Sequence, residues 1–225
     1  VGHNLRYDGA FIKLGLTMLL HYKLDYLKNL SLIGCVVILV FCLFYCFDYL
    51  LQISVSVFLP HIKHQFALNN FKLGLIGSVF FVTYVAMQIP GGYLIDELGS
   101  KKMATLMAFV CAIGALMMYA SSNYYRLLVS RLLIGLGSSV AFLCALYAIA
   151  QWAPKSWFAF FVGVLQALAG LGAIFGQSPV AYINHFYTWN QIALGFAVVA
   201  LVFTALFGIV ISRSGAHPSL FEDNY

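Results

Sequence analysis

Charge is what this sequence has least of. Asp, Glu, Lys and Arg make up only 8% of its 225 residues, against about 25% in ordinary soluble domains. Hydrophobic residues make up 63%, so there is too little polar surface to solvate a globule, and a soluble fold is excluded. Strand-period alternation of apolar and polar residues is missing, which excludes an outer-membrane barrel and leaves a bundle of membrane helices. Disulfide and zinc signals are missing too. Cys35, Cys42, Cys46, Cys111 and Cys144 all lie inside apolar runs with no CxxC pair, and read as small core residues. His61 and His64 stand three apart without a third ligand nearby, so no metal is expected. No HExxH, GxSxG or nucleotide-binding glycine loop occurs, which leaves protease, lipase and ATP-driven pump chemistry without residues. Neither enzyme activity nor a cofactor is expected. The net charge of +5 would point to nucleic acid in a soluble protein. Here the basic residues cluster at helix ends, where the positive-inside tendency explains them, and no nucleic-acid partner is expected.

What is present is six apolar runs, at residues 31–59, 73–94, 103–121, 125–149, 157–181 and 191–211. Each is long enough, at roughly 20 residues, to cross a bilayer. They predict an all-α integral membrane domain over 31–211, a six-helix bundle. Pro60 is expected to end the first helix, with turns at Ser121 to Tyr124, Ala153 to Lys155 and Asn184 to Asn190. Residues 1–30 read as a cytoplasmic lead-in. Phe11, Leu14, Met18 and Tyr22 recur there at helical intervals among Arg6, Lys13, Lys23 and Lys28, as in an interfacial amphipathic helix. Residues 212–225 read as a cytoplasmic tail. The chain begins at Val1 instead of Met, which reads as a fragment, a processed form or a trimmed chain. Counted at helix ends, Arg6, Lys13, Lys23, Lys28, Lys101, Lys102, Lys155 and Arg213 fall on one side. Lys63, Lys72 and Arg126 fall on the other. The excess places both termini in the cytoplasm.

The longest polar interruption is Gly91 to Lys102, GGYLIDELGSKK, read as a tight charged hairpin between the second and third helices, with Gly99 free to take a left-handed conformation. The spacing Gly92-x-Leu94-x-Asp96-x-x-Gly99-x-Lys101-Lys102 resembles the signature loop of the major facilitator superfamily. It departs from the usual pattern at Glu97 and Ser100, where basic residues are common. The resemblance implies one half of a twelve-helix transporter fold. It also implies a gating role for Gly92, Asp96, Gly99, Lys101 and Lys102, with Asp96 and the lysines latching the two halves on the inner side.

Ionisable groups inside a membrane are costly, by a few kcal/mol each, and are functional candidates by default. Asp48 lies well within the first run and Arg131 about six residues into the fourth. At 1.5 Å per residue their depths differ by about 7 Å, so they are expected to pair or to share a polar cavity. Arg131-x-x-x-Gly135-x-Gly137 is similar to a fourth-helix signature of the superfamily, in which the Arg is linked to substrate or proton coupling. Gln52 flanks Asp48, and three pairs share helix faces: Tyr84 with Gln88, Tyr147 with Gln151, and Gln166 with Gln177. Asp48, Arg131, Gln52, Tyr84, Gln88, Tyr147 and Gln166 are the candidate substrate or proton-coupling residues. Gly172 and Gly176 form a GxxxG, expected to be a packing face that slides or rocks.

These features predict secondary or facilitative transport of a small polar solute, with or without protons, by alternating access. Phe47-Asp48-Tyr49 with Ser54, Ser56 and Pro60 resembles bacterial facilitators that import amino acids or organic anions, which implies a bacterial inner membrane. The expected partners are the lipid bilayer and a second six-helix half or another copy of the chain. The alternative is a transport-inactive fragment or a membrane scaffold, in which the same motifs serve packing alone.

Overall fold

The computed structural model describes residues 32–213. The lead-in over 1–30 and all of the tail except Ser212 and Arg213 lie outside the described residues. Eight α-helices follow in order: α1 Leu32–Phe66, α2 Asn70–Ala86, α3 Gln88–Leu98, α4 Ser100–Tyr119, α5 Tyr124–Ser138, α6 Ala141–Trp152, α7 Phe158–Ile183 and α8 Trp189–Arg213. A 3-10 turn, Lys155–Trp157, precedes α7. There is no strand among the described residues. Five stretches are long and apolar enough to cross a membrane, and the bent pair α2–α3 makes a sixth. The chain is therefore a multi-pass helical membrane protein, and its described residues form six spans, I to VI, with α2–α3 as span II and α5–α6 as span IV.

Three boundaries differ from the sequence expectation. First, α1 does not stop at Pro60 but runs through it to Phe66. Proline removes one hydrogen bond, to the carbonyl four residues back, and the fully buried Phe58 and Ile62 on either side hold the helix in register. It ends instead at Ala67, whose φ is 50°, with Leu68 N–H donating to the Lys63 carbonyl at 3.1 Å, the six-residue closure of a helix C-terminus. His61 and His64 are thus helical rather than in a loop.

Second, span II is broken at Met87 and bends by 47°. Pro90, in the first turn of α3, has no N–H for the Ala86 carbonyl, and its ring crowds the preceding turn. Third, the hairpin expected over Gly91 to Lys102 is helical on both sides of a single residue. Gly99, at φ 81° and ψ 146°, is the corner between α3 and α4.

Elsewhere the turns are set by local chemistry. Asn69 and Asn123 cap α2 and α5 by accepting from Lys72 N at 2.9 Å and Arg126 N at 2.8 Å, which satisfies otherwise orphaned donors at those helix starts.

Within a bilayer, helix association rests on close packing rather than on the hydrophobic effect. The sequence supplies glycines where backbones meet. A Cβ on Gly172 would collide with the Cys46 carbonyl, and one on Gly176 would stand 2.8 Å from the Leu50 carbonyl. The GxxxG of α7 is therefore seated on α1, within the same bundle. On α5, Gly135 lies against Phe80 and Thr83 of α2, while a Cβ on Gly137 would stand 2.6 Å from both Cys111 N and the Met107 carbonyl of α4. Span IV is thereby wedged between spans II and III. Spans III and VI, and I and V, are the other extensive pairings.

Candidate functional site

Asp48 and Arg131 are both withdrawn into the bundle, at 2% and 1% exposure. They do not form the ion pair that their depths allow. The Arg131 guanidinium stacks over the Phe80 ring, 4.9 Å from its centroid, and Nη1 donates to the Leu51 carbonyl at 3.4 Å. Asp48 turns toward Ser138, without a well-formed hydrogen bond. Depth along a helix does not fix the direction around it, and the planar guanidinium finds an aromatic face first. The two groups do share one buried patch, since Cys111 of α4 lies within electrostatic reach of both. Asp48 Oδ1, Ser138 Oγ, and Arg131 Nε and Nη2 have no protein hydrogen-bond partner. A buried polar atom left so costs about 1–3 kcal/mol, more when charged, which a packing device alone does not account for.

Around Asp48 stands a ring of hydroxyls. Tyr45, one turn before it, is 4% exposed and donates to Gln166 Oε1 of α7 at 3.2 Å, with the Tyr49 hydroxyl 3.4 Å away. Asp48 is within electrostatic reach of Tyr45 and of Tyr84. Tyr84 stacks on Phe80 at 5.7 Å and faces the Gln88 amide at the break in span II. Gln52, one turn after Asp48, is half-buried and makes no side-chain hydrogen bond. Asp48, Arg131, Tyr84 and Gln166 are thus brought together, with Gln52 and Gln88 at the edges. The patch sets an acid and a guanidinium among several neutral hydrogen-bonding groups.

Tyr147 stands apart. Its hydroxyl donates to Asp96 Oδ1 at 3.3 Å, at the α3–α4 corner. Gly92 is half-buried in α3, Asp96 is exposed near its end, Gly99 is the corner itself, and Lys101 and Lys102 occupy the first turn of α4. Glu97 is held by Tyr93 of its own helix. No group of three or more metal-ligating side chains occurs among the described residues.

Sequence reasoning passed over Tyr45, Phe80, Cys111 and Ser138. Tyr45 was within reach of it, since positions 45, 48, 49 and 52 form one helical face. Phe80, Cys111 and Ser138 carry no signal of their own until the helices are packed.

A family model described as Major Facilitator Superfamily matches residues 36–223. The chain is 28% identical to the Probable sulfoacetate transporter SauU of Cupriavidus necator over 175 residues, which is 78% of this chain and 41% of that protein. It is 31% identical to the L-fucose-proton symporter of Escherichia coli over 132 residues, 56% of this chain and 30% of the other. To the Probable galactarate/D-glucarate transporter GudP of Bacillus subtilis it is 22% identical over 181 residues, 78% of this chain and 40% of the other. The chain spans well under half the length of these curated relatives.

Proposed function

Because the chain belongs to the Major Facilitator Superfamily, we propose that it is one six-helix half of a secondary transporter that moves a small polar solute by alternating access. The observation that carries this is Asp48: a carboxylate 2% exposed, deep in a membrane span, with an oxygen that no protein group satisfies. A fold has no packing use for such a group, whereas a carrier needs a place that exchanges a proton or a solute contact during its cycle. Asp48 is the coupling carboxylate, Arg131 holds spans I, II and IV around it, and Tyr45, Tyr84 and Gln166 supply hydrogen bonds toward the solute.

Relatives named for sulfoacetate and for galactarate and D-glucarate, together with the buried Arg131, make small organic anions the first substrate class to screen. The relative named as a proton symporter supports proton coupling through Asp48. A second half of similar size completes the solute cavity, since carriers of this type place the site between two repeats. Both termini of the chain are cytoplasmic by the lysine and arginine bias, and the bacterial relatives support a bacterial inner membrane as its location.

The test is uptake by the full-length protein with Asp48→Asn and, separately, Arg131→Ala, normalised to the amount in the membrane. Uptake is expected to fall at least about tenfold for Asp48→Asn, as for loss of a group used in the transport step. Unchanged uptake in both variants would leave the scaffold reading.

A further inference from the structure

One stripe of span IV, from Val140 into α6, touches α3 and the first residue of α4 three times. Val140, which immediately precedes α6, lies 3.0 Å from where a Cβ on Gly91 would stand. One turn on, the Cys144 thiol donates to the Ser100 carbonyl at 3.5 Å, both residues buried. One turn further, Tyr147 reaches Asp96. Positions 140, 144 and 147 follow the helical i, i+4, i+7 spacing, so a single stripe runs against Gly91 in the first turn of α3, Asp96 near its end and Ser100 at the start of α4. Resting on the transport reading above, we infer that Tyr147 is a positioning residue of the inner gate: its hydroxyl clasps Asp96 and ties span IV to the span II–III corner.

The three contacts are not equivalent. Val140 and Cys144 are fully buried. The Tyr147 bond is 3.3 Å long, beyond the usual 2.7–2.8 Å for a hydroxyl donor, and it lies on an exposed carboxylate. It borders a cleft of about 290 Å³ whose other walls, Ile95, Leu143, Leu146 and Phe158, are apolar. A long bond at the mouth of an apolar cleft is the one of the three that a small movement of α6 can make and break.

The opposite face of the same helix reaches the polar centre. Phe142 packs on Tyr45 with ring centroids 5.3 Å apart, and Tyr45 lies one turn from Asp48. A change around Asp48 that shifts Tyr45 therefore presses on the helix that carries Tyr147. Span IV runs from Tyr124 to Trp152 with a short irregularity at Ser139 and Val140, between Arg131 and Tyr147.

The test reads the clasp without requiring transport. Ala150→Cys, at an exposed wall of the same cleft, is introduced into the full-length protein, and its rate of maleimide labelling is measured in permeabilised membranes. The chain without that substitution supplies the background. Tyr147→Phe, which keeps the packed ring, and Asp96→Ala, which removes the acceptor, are each expected to raise the rate about threefold or more, the scale of one lost hydrogen bond. The double variant is expected to label no faster than the faster single variant, because both remove the same bond. Labelling unchanged by either single substitution, or two effects that multiply in the double variant, would overturn the clasp. Coupled labelling in a protein that shows no uptake would instead count against the transport reading alone.

Discussion

Asp48→Asn separates chemistry from packing, because the amide keeps the shape of the carboxylate and removes its charge. A buried charge without a full set of partners is a burden on the fold. The thermal midpoint in detergent is therefore expected to stay the same or rise while uptake collapses. A fall of several degrees would show that Asp48 is a structural ion after all. Arg131→Ala has the opposite signature. The guanidinium fills the space between Phe80 and the Leu51 carbonyl, and its removal leaves a void beside the Gly135 contact, costing roughly 2–4 kcal/mol. Arg131→Lys is expected to recover only part of that, since an ammonium cannot lie flat on the ring. Both ions were legible in the sequence, because a charge at mid-membrane depth has few explanations. Their neighbours were not. Depth can be counted along a helix, but which of several helices Asp48 and Arg131 face is decided by packing, and so the expected pair gave way to Phe80 on one side and Ser138 on the other.

At the level of helices, glycine placement decides which spans can touch. Gly172→Val forces α7 off the Cys46 carbonyl, whereas Gly170, two residues earlier, has nothing within 4 Å of an added Cβ. The first substitution is expected to lower the midpoint by several degrees, with a cost of about 1–3 kcal/mol, typical of overpacking. Gly170→Val should be close to neutral. Equal effects would remove the I–V contact from the description. Gly99→Ala is expected to cost about 1–3 kcal/mol, because φ 81° with ψ 146° is a backbone region nearly confined to glycine, with no steric clash to add; a neutral result in a thermal melt would mean that the corner relaxes freely.

The six spans and their turns were readable from hydropathy and from Pro, Gly and Asn punctuation. Their breaks were read less well. Pro60 was expected to stop α1, yet the helix is held through it by Phe58 and Ile62. Pro90, given no weight in the sequence, kinks span II. The same residue type gives opposite outcomes because tertiary packing, absent from the sequence, decides between them.

Across the whole molecule, span V and span VI have many large apolar side chains on their outer faces, among them Leu171, Ile174, Phe175, Val198 and Val202, as lipid or a second half would require. The polar centre sits on spans I, II, III, IV and V and is joined to the α3–α4 corner through α6, by the Phe142–Tyr45 and Tyr147–Asp96 contacts. The signature spacing at Gly92 to Lys102 revealed the family, but not that its Asp96 is held from within the same half, by Tyr147.

The most direct measurement is uptake of radiolabelled small organic anions into vesicles containing the full-length protein, with and without an inward proton gradient, for the native chain and for Asp48→Asn. Gradient-stimulated uptake by the native chain, lost in Asp48→Asn at equal membrane level, is the predicted result. Uptake that responds equally to the gradient in both proteins would contradict Asp48 as the coupling group.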